Sequence, residues 1–193
     1  MSDFIHLHVH SHYSLLDGLP KIDEIIAAAR ELKMPAVALT DHGVMHGVVE
    51  FYQKAKKAGI KPIIGVEAYV ARNGLKNKRA KIDERPYHLI LLAKNETGYK
   101  NLVRLTTVAH LDGFYYKPRI DLELLEQHAE GLIGLSACLQ GMIARPIIAG
   151  DRKLATDHAV RLQQIFGKGN FFLEVQHHPP LTPQTEVNEA IFK

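Results

Sequence analysis

Phe4-Ile5-His6-Leu7-His8-Val9-His10-Ser11 places three histidines at alternate positions of an apolar run. Side chains on a strand alternate with a period of two. A strand over residues 4–10 therefore puts all three imidazoles on one side and turns Ile5, Leu7 and Val9 toward the core. Imidazole is the commonest metal ligand. One histidine in such a run reads most simply as a satisfied polar side chain, whereas three in register point to a divalent-metal site.

Outward from this run, apolar strand patterns alternate with helical ones. Residues 21–32 carry Ile22, Ile25, Ile26 and Ala29 at helical spacing, entered after Pro20 and closed by Met34-Pro35. Strands are predicted over 36–40, 61–70 (one bent strand or a pair), 87–93, 131–136 and 170–176. Further helices are predicted over 44–58, 99–109, 121–128, 140–149 and 154–166, and from 184 onward. Residues 72–85 are polar and basic with no apolar period, which predicts an exposed loop. Such alternation predicts a parallel β/α architecture closing into a barrel. Chemistry in a β/α barrel sits at the C-terminal ends of the strands. His8, His10, Asp41-His42, Glu67, His88, Cys138 and the group Glu174, His177 and His178 all fall at or just after strand patterns.

Length and composition bound the rest. At 193 residues the chain is expected to form one domain over 1–193, long enough to bury a core. With 46% hydrophobic and 23% charged residues it has a globular profile, and a net charge of +3 is compatible with a polyanionic partner without arguing for one. Cys138 is the only cysteine, so no intrachain disulfide can form and a reducing compartment fits. No apolar run approaches the ~18 residues of a membrane span, and no signal-peptide pattern opens the chain. A soluble, cytoplasmic protein without membrane partners is the expectation.

Each candidate has a plain reading beside its functional one. His8 and His10 on one strand can reach one ion or two adjacent ions. Asp17, before Gly18, is a turn cap or a carboxylate ligand. His42 caps its loop or points into the barrel mouth. Glu67 is embedded in Ile63-Ile64-Gly65-Val66-Glu67-Ala68, and a buried carboxylate needs a cation or a metal beside it. His88 opens another apolar strand. Cys138 is an inert buried thiol or a thiolate ligand. Histidines with a few carboxylates suit Zn, Mn or Fe more than Mg, and two or three such ions suit phosphoester hydrolysis. Lys76, Lys78 and Arg79, within a basic run that continues through Lys81 and Arg85, form a polyanion guide or a solvated loop. Tyr116, Lys117 and Arg119, within Phe114-Tyr115-Tyr116-Lys117-Pro118-Arg119, form a stacking surface for nucleic acid or a packed loop. His46, His110, His128 and His158 read as surface or packing residues, and His6 and His12 flank the set.

Taken together, Leu7-His8-Val9-His10-Ser11, Tyr13-Ser14-Leu15-Leu16-Asp17-Gly18 and Leu39-Thr40-Asp41-His42-Gly43 resemble the polymerase-and-histidinol-phosphatase (PHP) domain family. Three longer phrases narrow the resemblance: Gly47-Val48-Val49-Glu50-Phe51-Tyr52, Ile60-Lys61-Pro62-Ile63-Ile64-Gly65-Val66-Glu67 and Gly113-Phe114-Tyr115-Tyr116-Lys117-Pro118-Arg119-Ile120-Asp121. They are similar to the N-terminal part of bacterial replicative DNA polymerase III alpha subunits.

The resemblance implies a distorted seven-stranded β/α barrel with two or three divalent metal ions. By matching position it implies His8 and His10 as first-motif ligands, Asp17 as the nearby carboxylate and His42 as a second-motif ligand. Glu67 would be the bridging carboxylate and His88 a further ligand, while Cys138 stands where the family places a His or Cys. The implied activity is metal-dependent 3′→5′ exonuclease or related phosphoesterase action. Implied partners are DNA, a sliding clamp and a proofreading subunit. The family's closing Asp-x-His does not occur in the second half of this sequence, so the expectation is a fragment ending before the last strand. A metal-stabilised scaffold and a free-standing histidinol-phosphate-type phosphatase are the alternative readings.

Overall fold

The computed structural model describes residues 4–178 and 181–192. In chain order the elements are α1 (Ile22–Glu31), β1 (Ala36–Leu39), α2 (Val48–Lys57), β2 (Lys61–Val70), β3 (Tyr87–Ala93), α3 (Glu96–Leu111), β4 (Arg119–Ile120), α4 (Leu122–Gln127), β5 (Leu132–Leu135), α5 (Ala144–Ile148), α6 (Arg152–Phe166), β6 (Phe171–Phe172) and α7 (Thr182–Phe192). Helix starts follow local chemistry. The Asn95, Asp121 and Asp151 side chains accept from the backbone N–H of Gly98, Leu124 and Leu154 and so cap α3, α4 and α6. In α1 the buried face is Ile22, Ile25, Ile26 and Ala29, the residues whose spacing marked the helix.

Among the described residues the strands form one mixed sheet of six, in the order β1-β2-β3-β5-β6 with β4 also on β2. This corrects two expectations. β2 pairs with β3, and β3 with β5, in antiparallel fashion, so the sheet is not all parallel. The sheet is also open, with six strands rather than a closed barrel of seven. Residues 61–70 make one strand, which its length allows to pair along one edge with both β1 and β4.

The opening run is corrected as well. Residues 4–10 lie along β1 without forming a regular strand. Ala38 N–H donates to His6 O and Thr40 N–H donates to Val9 O. Three residues thus span what two span on β1, and the extra residue breaks the ladder as a bulge does. The Thr40 hydroxyl accepts from Val9 N–H in its place. The bulge also breaks the alternation. Leu7 is exposed and only Val9 packs on the core.

Other predicted spans shrink to shorter elements. Residues 140–149 give helix only over Ala144–Ile148, and 170–176 give strand only over Phe171–Phe172. Three apolar clusters hold the layers. One lies between β2, β3 and helices α3, α4 and α6, another between α1, β1 and α2, and a third joins Ala38, Ile90, Leu92 and Leu135 across the sheet. No helix of the described residues is long and apolar enough to cross a membrane.

Candidate metal centre

Glu67 stands at the middle of β2 and is fully buried. Its neighbour along the sheet edge is the segment after β1: Glu67 N–H donates to Asp41 O, and Gly43 N–H donates to Glu67 O. That pairing places His42 beside Glu67. Gly43 then turns the chain with φ of 66°, and a Cβ there would meet Pro118 at 2.8 Å. The opposite neighbour of β2 is β3, whose Tyr69↔His88 register brings His88 to the same end.

Asp41 braces the other side. Its carboxylate accepts from Ser11 N–H, Ser11 Oγ and Ser14 Oγ. These bonds tie the chain just after His10 to the chain just before His42.

Four imidazoles converge on the one carboxylate. His8 Nε2 lies 3.3 Å, His10 Nε2 3.0 Å and His42 Nδ1 2.9 Å from Glu67 Oε2. His88 Nδ1 lies 2.8 Å from the other oxygen. His8 and His10 present their Nε2 atoms to each other at 3.1 Å. Cys138 follows Ala137, held at φ of 61°, and its Sγ lies 3.8 Å from Glu67 Oε1 and 3.7 Å from His88 Nδ1. Behind this layer, Glu174 Oε1 is 2.7 Å from His8 Nδ1, and Asp17 Oδ2 is 2.9 Å from His42 Nε2.

Charge is strongly coupled here. Burial pushes the Glu67 carboxyl up, but the four imidazoles outweigh it and hold its pKa far below the usual range. Burial disfavours the imidazolium of His8, yet its bonds to Glu174 and Glu67 raise the pKa to about 10. Against the same burial, Glu67 and Asp17 raise His42. Burial and the Glu67 charge lift the Cys138 thiol to about 12 and the Tyr69 phenol, which stacks against His42, to about 12.

The donor set fits divalent cations. Three ring nitrogens crowd one carboxylate oxygen, more than it can accept in good geometry. His42 Nδ1 accordingly makes no hydrogen bond at its 2.9 Å. A cation among them would be held through the lone pairs of those nitrogens. The far nitrogens of His8 and His42 would then donate N–H to Glu174 and Asp17, the carboxylate–histidine arrangement found behind metal ligands. Two ligand groups have donor atoms within 4.8 Å of one another, His8/His10/Glu67 and His42/Glu67/His88, and Glu67 belongs to both.

The structure sorts the sequence candidates. His8, His10, His42, Glu67, His88 and Cys138 come together around a pocket of about 800 Å³. Asp17 borders it from behind His42, its side chain 57% exposed. His6 stays outside, its ring packed on Phe4. Lys117 lines the pocket, with Nζ 5.5 Å from the centre of the Tyr69 ring, and Tyr116 is exposed nearby. Arg119 is a correction. It is fully buried, donating to the carbonyls of Leu75, Asn77, Asp83 and Gly113, so it holds the 72–86 loop instead of facing a polymer. Arg79 pairs with buried Asp83 while staying exposed itself, and Lys76 and Lys78 are exposed beside it without a carboxylate partner among the described residues.

Glu174 and Gln176 entered the ring of site residues without having been singled out as ligands. Glu174 interrupts Phe171-Phe172-Leu173-Glu174-Val175, the same signal of an acid in an apolar run that marked Glu67. His110, read as a surface or packing residue, also borders the pocket.

The DNA polymerase III subunit alpha of Borreliella burgdorferi is 51% identical over all 193 residues, and that of Thermus aquaticus 48% identical over 97% of the chain. The chain spans only about one-sixth of the length of these relatives. In fold it is similar to a Bifidobacterium adolescentis protein named as a metal-dependent phosphoesterase, with a TM-score of 0.56 at 13% identity, covering 98% of this chain and 83% of that one. The PHP domain pattern matches residues 6–178, and with the polymerase relatives this places the chain in the PHP domain family.

Proposed function

We propose that residues 1–193 form one PHP domain whose centre holds two or three divalent ions, Zn, Mn or Fe rather than Mg, for phosphodiester hydrolysis. The observation that carries this reading is the pair of ligand groups sharing the buried Glu67. His8, His10, His42, Glu67 and His88 are the ligands, with Cys138 at the edge of the set. Asp17 and Glu174 fix the rings of His42 and His8. When bound, divalent ions supply Lewis acidity at phosphorus and make water acidic enough to attack near neutral pH. Lys117 places a positive charge at the pocket mouth to receive a phosphate oxygen.

Similarity to polymerase alpha subunits makes DNA the substrate of choice, 3′→5′ exonuclease action the mode, and a sliding clamp and a proofreading subunit the partners, in the cytoplasm. The test is hydrolysis of a 5′-labelled single-stranded DNA by the full chain after loading with Mn or Zn. Shortening from the 3′ end that stops with chelator and in His10→Ala is the expected result. Metal bound with no shortening, and a melting temperature that falls when it is removed, would replace the enzyme by a metal-stabilised scaffold.

Metal uptake is also expected to release protons. With a pKa near 10, His8 is protonated at pH 7 in the metal-free chain, whereas a ligand must be neutral. Titration calorimetry in two buffers of different ionisation enthalpy should show about one or more protons released per chain at pH 7. Affinity should rise about tenfold per pH unit between 7 and 9 for each proton displaced. Uptake without proton release would show that His8 is either neutral beforehand or not a ligand, and would overturn this expectation.

A further inference from the structure

Outside the metal centre, two arginines stack on one tyrosine at the loop end of the β2–β3 pair, and a third arginine stands close by in the chain. Arg72 follows β2, and Arg85 and Tyr87 flank the start of β3, where Val70 pairs with Tyr87. Arg145 comes from α5. The Arg72 guanidinium lies 4.7 Å and that of Arg145 5.6 Å from the centre of the Tyr87 ring. Arg145 is fixed by donating to the backbone carbonyls of Arg85 and Pro86 and to Gln140 Oε1.

Among the described residues none of the three arginines has a carboxylate partner. The arginine ion pairs among the described residues are Arg79–Asp83 and Arg161–Glu126. Burial and then the charge of Arg72 hold the Arg145 pKa below its usual value, with Arg85 adding to it. Three like charges in one neighbourhood, two of them over the Tyr87 ring, cost free energy without a counterion, and an anion between them recovers it. Cation–ring contacts keep the group assembled while leaving guanidinium N–H donors for a ligand.

This group is one residue away from the metal centre. Gln140, gripped by Arg145, lines the same pocket as Cys138 and His88. His88 N–H donates to Gln140 O, and Gln140 N–H points to Cys138 Sγ at 3.5 Å. An extended polyanion with one group at the metal centre can therefore run past Gln140 onto the arginines. We propose that Arg72, Arg85 and Arg145 form a second anion site that grips backbone phosphates of a single-stranded nucleic acid next to the group being hydrolysed. This choice of ligand rests on the phosphodiester reading above. The planar fork of arginine suits phosphate oxygens in pairs.

The experiment measures binding of a labelled oligo(dT) to the full chain by fluorescence anisotropy in chelator, so that neither metal nor hydrolysis enters. Arg72→Gln and Arg85→Gln are used together, because Arg145 also holds backbone and its loss would disturb the fold. The paired variant should bind about tenfold or more weakly, and its salt dependence should be shallower by about 1.4, or 0.7 per lost phosphate contact. A control with Lys100→Gln and Lys153→Gln, which removes the same charge elsewhere, should change little. Equal weakening in both variants would reduce the effect to net charge and overturn the site. Competition by poly-glutamate as effective as that by unlabelled oligo(dT) would overturn it in favour of an acidic protein partner. If the arginine variant loses binding while the loaded wild type hydrolyses nothing, the phosphodiesterase reading fails and the anion site stands.

Discussion

Replacing Glu67 with Gln is expected to abolish high-affinity metal binding. The side chain keeps its volume, so the fully buried site does not collapse, but the charge shared by both ligand groups is gone. Loss of groups that merely support ligands costs 10–100-fold in metal affinity, so a shared direct ligand should cost more than about 100-fold. Elemental analysis after dialysis against trace metal should find the wild type loaded and Glu67→Gln near background. Loading equal to wild type would refute Glu67 as the bridge.

The same substitution should change the metal-free chain. Removing one member of a buried charge cluster costs about 3–5 kcal/mol, because its partners remain buried and uncompensated. The pH dependence follows from the shifts. Glu67 is held far below its unfolded pKa, so its contribution is present above about pH 4.5 and shrinks as the pH falls below that. His8 is raised to about 10, so its contribution is complete below about pH 6.5 and is lost as the pH rises through 10. In chelator, the wild-type melting temperature should therefore decline from pH 6.5 to 10, and that of Glu67→Gln should decline less. Parallel profiles would mean that the His8–Glu67 coupling is absent from the folded chain.

The second large effect is expected at Arg119. Its guanidinium is fully buried and donates to four backbone carbonyls, three of them in the 72–86 loop. Truncation to Ala leaves those acceptors without donors and opens a void. Unpaired buried polar groups cost about 1–3 kcal/mol each and are partly relieved by water, so a total of roughly 3–5 kcal/mol is expected. For a chain of this size that lowers the melting temperature by about 10 °C. Arg119→Lys should recover only part of it, since one ammonium cannot replace a fork aimed at four acceptors. Protease cutting within 72–86 should rise in the Ala variant. A melting temperature within 2 °C of wild type would show that the loop is held by its other contacts, chiefly Asp83 with Arg79 and Asn73.

Residue patterns alone were enough for the main helix faces and most strand positions, and they marked His8, His10, His42, Glu67, His88 and Cys138, which the fold brings around one pocket. α1 announced itself through Ile22, Ile25, Ile26 and Ala29, and Glu67 through an acid placed among Val66, Ala68 and their neighbours. These signals are local. Burying a face demands a period, and burying a charge demands partners.

Three things depended on contacts between segments distant in sequence. Strand direction was one: an apolar run such as 87–93 reads the same in a parallel or an antiparallel pairing, and only its register with β2 made β3 antiparallel. The bulge at 6–9 was another, since it arises from how Val9 meets Thr40. The third was the fate of like-looking cations. Arg119 and Lys117 sit two residues apart in one motif, yet one is sealed under a loop and the other borders the pocket. Sequence determined the amphipathic faces and which polar residues stand within apolar runs; the packing of remote segments decided which of them are buried and which partner each one met, because a partner's identity is set by three-dimensional distance and not by spacing along the chain.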